Sequence, residues 1–339
     1  MSTYLDQELR AQPEALARLL ERQHAHALEV AELFRRADVQ YVVIASRGSS
    51  SNAARYGQYL LGRAHRVPVA FATPSLYTLY GQPPRLDGGL VIGISQSGES
   101  PDVKSVVDEA RRQGRPTIAL TNDPDSPLAH AAEAVLPLEA GEERSVAATK
   151  TYLNSLGALA LIFTASTRDA KAFDELRRMP EAVAAQLDRS LADVAALEGL
   201  DRVGGGTVVA RGVNFGTAHE IALKVRELSA LLFEAYSAAD LMHGPVAAIG
   251  YGWPVIAVAP AGPAHASMED AIAAVAARGA RLFVISEGSA ELPLLPGVPE
   301  WLSPLSAVIP GQLLARRIAE LRGADIDRPG GLSKVTLTR

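Results

Sequence analysis

The chain alternates between two rhythms of apolar and polar positions. Short apolar runs at 41–45, 67–72, 89–94, 116–120 and 134–138 are each bounded by glycine, proline or polar clusters. Such runs are those of strands buried on both faces. Around them lie stretches with helical spacing: 13–36 before the first strand, 53–62 after it, a helix after 94 and a long one over 148–167. The rhythm then restarts, with a helix over 180–197, strands at 206–210, 254–259 and 281–285, and helices over 217–232, 266–277 and 312–322. Strands alternating with helices predict an α/β protein with mainly parallel sheets. Right-handed crossovers put helices on both faces. Two similar units of roughly 150 residues point to an internal duplication into two tandem doubly wound domains. The boundaries predicted are 1–170 with its leading helices, 171–322, and a tail at 323–339. In such folds ligands bind beyond the carboxyl ends of the strands, so the loops after Ala45, Ile94, Leu120 and Ala210 are the candidates.

Composition narrows the partners. The chain has 339 residues, 48% hydrophobic and 21% charged, which suits a packed globular protein of two domains. Its 33 basic and 38 acidic residues leave a net charge of −5. There is no basic excess for nucleic acid and no Lys/Arg cluster for an anionic membrane. The most apolar segment, 156–165, is too short to span a bilayer and is followed by charge. The opening MSTYLDQELR lacks the basic and apolar regions of a signal peptide, so a cytoplasmic protein is expected. With no cysteine, disulfides, thiolate metal sites and thiol nucleophiles are excluded. The seven histidines form no metal motif, and neither a metal nor an organic cofactor is expected.

One stretch asks for more than a turn. GISQSGESPD, at 93–102, joins an apolar strand to a helix. Ser100 suits the N-cap, Pro101 the first helical position and Asp102 the helix dipole. Capping leaves Ser95, Gln96 and Ser97 unexplained. Extra hydroxyls and amides at a helix N-terminus make a ready phosphate site. Gly48-Ser49-Ser50 stands in the equivalent place after an earlier strand, which supports a phosphate or sugar-phosphate ligand.

A second pattern lies at 219–228. Glu220, Lys224 and Glu227 share a narrow arc of a helix, while Ile221, Val225, Leu228 and Leu232 form an apolar stripe. Spacing alone predicts an exposed, salt-bridged face. The helix follows a strand end, however, so the same face can look into a ligand crevice. There a carboxylate beside a lysine can serve as acid or base. His243 in a Gly-Pro loop and Lys334 in the tail are, by themselves, surface residues.

Six separated segments together resemble the sugar isomerase (SIS) domain family. They are GSSSNAARYGQYLL (48–61), SQSGES (95–100), ERSVAATKTY (143–152), EIALKVRELS (220–229), EAYSAADLMHGP (234–245) and DIDRPGGLSKVTLT (325–338). Their order resembles the isomerase half of glutamine–fructose-6-phosphate amidotransferase. The glutaminase half of that enzyme uses a cysteine, which this chain lacks. Segments 47–56 and 143–150 are more similar to stand-alone class II glucosamine-6-phosphate deaminases.

The resemblance implies flavodoxin-like SIS domains and a role for each matching residue. Ser95, Gln96, Ser97 and Ser100 would hold the phosphate, Ser49 and Ser50 would contact the sugar, and Val146 would wall its site. Glu227 would move a proton between C1 and C2 beside Lys224. His243 would assist ring opening from the partner subunit, implying a homodimer with a composite site. Lys334 would engage the open-chain carbonyl. The family's cysteine-bearing loop here reads Arg47-Gly48-Ser49, and Ala148 stands where serine is frequent. The implied reaction takes glucosamine 6-phosphate to fructose 6-phosphate and ammonia. Ammonia-dependent synthesis, deglycation of a fructosamine phosphate and non-catalytic sugar-phosphate sensing are the alternatives. The absence of a basic DNA-binding extension, and Glu227, His243 and Lys334 occurring together, favour catalysis.

Overall fold

The computed structural model describes residues 3–35 and 39–334. The predicted helix end at Arg36 and the tail beyond Lys334 lie outside them. The chain divides into two compact units. One comprises Glu14–Glu143, Lys150–Arg178 and Ser333–Arg339; the other comprises Met1–Pro13, Arg144–Thr149 and Met179–Leu332.

The first unit holds a parallel sheet of β1 (Tyr41–Ser46), β2 (Val69–Phe71), β3 (Gly89–Ile94), β4 (Thr117–Thr121) and β5 (Ala134–Pro137). The strand order is β2-β1-β3-β4-β5. Every residue of β3 and β4 is buried, which explains their unbroken apolar sequences. Val43, Ala45, Val91 and Ala119 of the sheet pack with Val103, Val106 and Val107 of the helix Pro101–Arg112. The helix Lys150–Thr167 is buried along 150–165, so the chain's most apolar segment is a core helix. Among the described residues no helix is long and apolar enough to cross a membrane.

The second unit repeats the plan. Its parallel strands are β6 (Gly206–Ala210), β7 (Phe233–Ser237), β8 (Pro254–Val258), β9 (Arg281–Glu287) and β10 (Leu292–Leu294). The order β10-β9-β8-β6-β7 is the same winding read from the other edge. The repeat reaches the backbone after the first strand of each unit. Arg47 and Arg211 are extended (φ −138° and −144°), and Gly48 and Gly212 follow at φ 51° and 61°. The alternation predicted an α/β protein with two mainly parallel units; the structure has two five-stranded parallel sheets, two strands of the second beyond those predicted.

The departures have local causes. Strands β7 and β10 escape the apolar-run criterion because both are edges: one is FEAYS, the other has only three residues and contains Pro293. The last helix is Ser303–Leu321 rather than 312–322, because it carries Pro304 in its first turn and Pro310 inside. Its Gly311 lies against Ile221, where an added Cβ would come within 2.3 Å of Cδ1. The helix predicted over 217–232 spans Phe215–Ser229 and ends at Ala230 in the left-handed conformation (φ 55°). Leu232, expected on its buried stripe, lies past that end and is 64% exposed. The helix predicted over 13–36 spans Gln12–Ala31 and gives way to a 3-10 turn at Glu32–Arg35; a separate helix, Tyr4–Arg10, precedes it. The short first helix is started by a reciprocal cap between Thr3 and Asp6.

Candidate functional site

In a 2-1-3-4-5 sheet the strand order reverses between the first and third strands, and the crevice opens there. In the first unit that point lies between β1 and β3, whose last residues, Ser46 and Ile94, are in register. The two hydroxyl-rich segments leave the sheet at this point. Ser49 and Ser50 occupy the first turn of the helix Gly48–His65, partly buried. The other segment, Ser95–Ser100, is a built loop. Ser95 Oγ lies 3.3 Å from Ser100 Oγ and accepts from Gly98 N at 3.2 Å. Ser97 Oγ accepts from Glu99 N at 3.3 Å, and Gln96 O accepts from Asn122 N at 3.0 Å. Gly98 is required twice: its φ is +67°, and an added Cβ would meet Ser126 Oγ at 2.0 Å.

Ser100 departs from its predicted role. It holds the N-cap position of the helix Pro101–Arg112, yet makes no side-chain cap bond, because its hydroxyl faces Ser95. Pro101 is at the predicted first helical position. Asp102 does more than meet the dipole. It is 1% exposed, and its Oδ2 accepts from Arg47 Nε at 2.6 Å.

The same unit holds Lys334. Its Nζ donates to Glu143 Oε2 at 2.8 Å, and Glu143 also accepts from Thr151 N at 3.1 Å and Thr151 Oγ1 at 2.7 Å. The Glu143 side chain is fully buried, so the tail lysine is seated on a fixed carboxylate.

In the second unit the polar arc of the helix Phe215–Ser229 is not an exposed face. Glu220 and Lys224 are 0% and 1% exposed. Lys224 Nζ lies 3.4 Å from Glu220 Oε1 and donates to Glu227 Oε2 at 2.5 Å. Only Glu227, with its side chain 22% exposed, opens to solvent. Spacing put the three on one arc; it could not tell that the helices packed around them bury two. Burying a cation is tolerable when carboxylates flank it, as here.

Val146 is partly buried on a segment of this unit held by Glu8. Glu8 Oε1 accepts from Arg144 N at 2.5 Å and Glu8 Oε2 from Ser145 N at 3.2 Å. Asp327 caps the helix that carries Glu8, accepting from Tyr4 N at 2.9 Å and Leu5 N at 3.1 Å. His243 ends the helix Ala238–Met242 and is exposed; its N–H donates to Asp240 O at 3.1 Å. Glu8, Arg47, Glu143 and Asp327 were not singled out in the sequence as holding these segments. Each stands among other polar or charged residues, so nothing in the sequence marks it out without its partners in view. Among the described residues no group of three or more His, Cys, Asp or Glu could hold a metal ion.

A family model described as the SIS domain matches residues 33–165 and 207–291, one stretch around each sheet. A glutamine–fructose-6-phosphate aminotransferase (isomerizing) of Thermus thermophilus is 35% identical over 314 residues, covering 88% of this chain and 52% of that protein. The chain thus spans about half the length of the curated relatives it matches. A candidate phosphosugar isomerase of Silicibacter pomeroyi superposes with a TM-score of 0.85 at 31% identity, covering 96% of this chain and 100% of the other. The glucosamine-6-phosphate deaminase of Thermotoga maritima shares the fold, with a TM-score of 0.76 at 22% identity over 94% of this chain and all of the other. Two matched stretches, each on a sheet wound in the same order, make this chain a member of the SIS domain family, with two SIS domains in tandem.

Proposed function

We propose that the protein is a phosphosugar aldose–ketose isomerase that handles an amine at C2, converting glucosamine 6-phosphate and water into fructose 6-phosphate and ammonia. The observation that carries this reading is the Glu227 carboxylate. One oxygen is fixed by the buried Lys224 ammonium at 2.5 Å, while the side chain keeps 22% exposure. A carboxylate so oriented can accept a carbon-bound proton through its other oxygen.

On this reading the phosphate rests on Ser95, Gln96, Ser97 and Ser100, with Ser49 and Ser50 on the sugar and Val146 beside it. Anchoring the unreactive end orients C1 and C2. His243, offered from a partner subunit of a homodimer, assists opening of the ring. Glu227, held by the buried Lys224, removes the C2 proton of the open aldehyde, leaving an enolamine whose developing oxygen charge falls to the loop donors around it. The proton returns to C1 and gives the C2 imine of fructose 6-phosphate. Water adds to C2, and ammonia leaves. Lys334 exchanges Glu143 for the open-chain carbonyl. The relatives named for the aminotransferase reaction support the same groups serving the reverse, ammonia-consuming direction.

The test is ammonia release from glucosamine 6-phosphate by the purified protein beside Glu227→Gln. Release that falls about 100-fold or more in the variant, the span of a lost general base, is the expected result. Release that persists in the variant, or none from the wild type, rejects the proposal.

A further inference from the structure

The proposed reaction leaves Arg47, beside the phosphate loop, unused. Arg47 follows β1 directly and Ser95 follows β3, and because Ser46 and Ile94 are in register, the two leave the sheet side by side. Arg47 Nε is spent on the buried Asp102 at 2.6 Å. The side chain is 52% exposed, and its two Nη groups donate to no protein atom among the described residues. The guanidinium is therefore anchored at one edge and presents its other edge outward.

The loop Ser95–Ser100 offers hydroxyls and amides but no positive charge; its single ionised residue is Glu99. Asp102 adds a buried carboxylate beneath the same helix N-terminus. Lys104, one turn on, is engaged by Asp108. A phosphate dianion held by this loop would face Glu99 and Asp102, and Arg47 is the cation held beside them to offset that charge. A planar guanidinium matches paired phosphate oxygens, which an ammonium does not.

We propose that Arg47 is a phosphate-binding residue, its Nη edge on the phosphate of the sugar and its Nε on Asp102, which acts as the positioning residue. The proposal rests on reading Ser95–Ser100 as the phosphate loop.

Calorimetry on the full chain tests it, with inorganic phosphate and glucosamine 6-phosphate as probes. Arg47→Ala should weaken both by roughly 10- to 100-fold, the range of a lost charge-assisted hydrogen bond. Arg47→Lys, which keeps the charge and loses the fork, should fall between. Arg47→Ala leaves Asp102 buried without its partner and can unfold. The double variant Arg47→Ala with Asp102→Asn removes that charge too and should bind both probes as weakly as Arg47→Ala. Unchanged affinity for inorganic phosphate in either variant overturns the assignment, even where sugar-phosphate affinity falls. A wild type that binds neither probe overturns the phosphate loop itself, and Arg47 with it.

Discussion

Replacing Lys224 by methionine probes the least compensable contact in the second unit. Methionine keeps most of the volume and removes the charge. Lys224 is 1% exposed, 2.5 Å from Glu227 and 3.4 Å from Glu220. Glu220 is 0% exposed, so bulk water cannot take over from the ammonium without the fold opening. Two unit charges at that distance attract by about 5 kcal/mol at an effective dielectric of about 20. Desolvation offsets part of this, yet breaking one member out of a buried pair still costs about 3–5 kcal/mol. For units of this size that lowers the melting temperature by roughly 10 °C. The informative comparison is the double variant Lys224→Met with Glu220→Gln. It removes the carboxylate charge that Lys224 balances, so it should be more stable than Lys224→Met alone by about 1–2 kcal/mol, a coupling expected of residues in contact. Urea melts at neutral pH measure both, and ammonia release measures whether Glu227 still works without its partner. The reasoning is refuted if Lys224→Met melts with the wild type and Glu220→Gln restores nothing.

Two further outcomes follow from the geometry. Gly98→Ala forces a Cβ against Ser126 at φ +67°, so it should destabilise the first unit by about 1–3 kcal/mol and weaken sugar-phosphate binding together; an unchanged melt would contradict the clash. Burial raises the pKa of the Asp6 carboxyl, but hydrogen bonds from Arg316 and Thr3, with the Arg316 charge, outweigh it and hold the group below its ordinary value. A lowered folded value means its stabilisation is complete above the unfolded value and is lost as pH falls through the folded one. The stability gap between wild type and Asp6→Asn should therefore be level near neutrality and shrink below about pH 4. Urea melts across pH check it, and a gap that widens on acidification would contradict the sign.

What the sequence made legible was whatever repeats with a period. The buried strands of both sheets stand out because both faces demand apolar residues. The edges β7 and β10 do not: FEAYS is only part-buried and carries a charge, and LPL, though buried, is three residues long and broken by Pro293. The hydroxyl loop was legible because it exceeds what capping needs, and the Glu220, Lys224 and Glu227 arc because helical geometry makes it so. Their environment was not legible. Burial of Glu220 and Lys224 depends on helices distant in sequence, as does the seating of Lys334 on Glu143, 191 residues away. The same holds for Arg47 and Asp102, 55 residues apart and joined only because β1 and β3 are neighbours.

The duplication itself supplies an argument about the buried charges. Counting from the shared glycine of the two Arg-Gly turns, Glu220, Lys224 and Glu227 correspond to Tyr56, Leu60 and Arg63 in the first unit. Tyr56 and Leu60 are 0% and 1% exposed, so the same two positions of the same winding are filled there by uncharged side chains. Replacing a buried ion pair by well-packed apolar side chains is often neutral or stabilising. The fold can therefore do without the charges at those positions, and packing is not the reason the second unit has them. The turns have diverged in the opposite sense. Arg47-Gly48 opens into three serines, whereas Arg211-Gly212 opens into Val213 and Asn214, whose amide donates to Ser303 at 2.7 Å within the core. One copy has kept its turn polar and fills those two buried helix positions with uncharged side chains; the other has given its turn to packing and the same two positions to charge. On the function proposed, that is a division between anchoring a phosphate and moving a proton, and each copy carries the polar cost only where its part of the chemistry needs it.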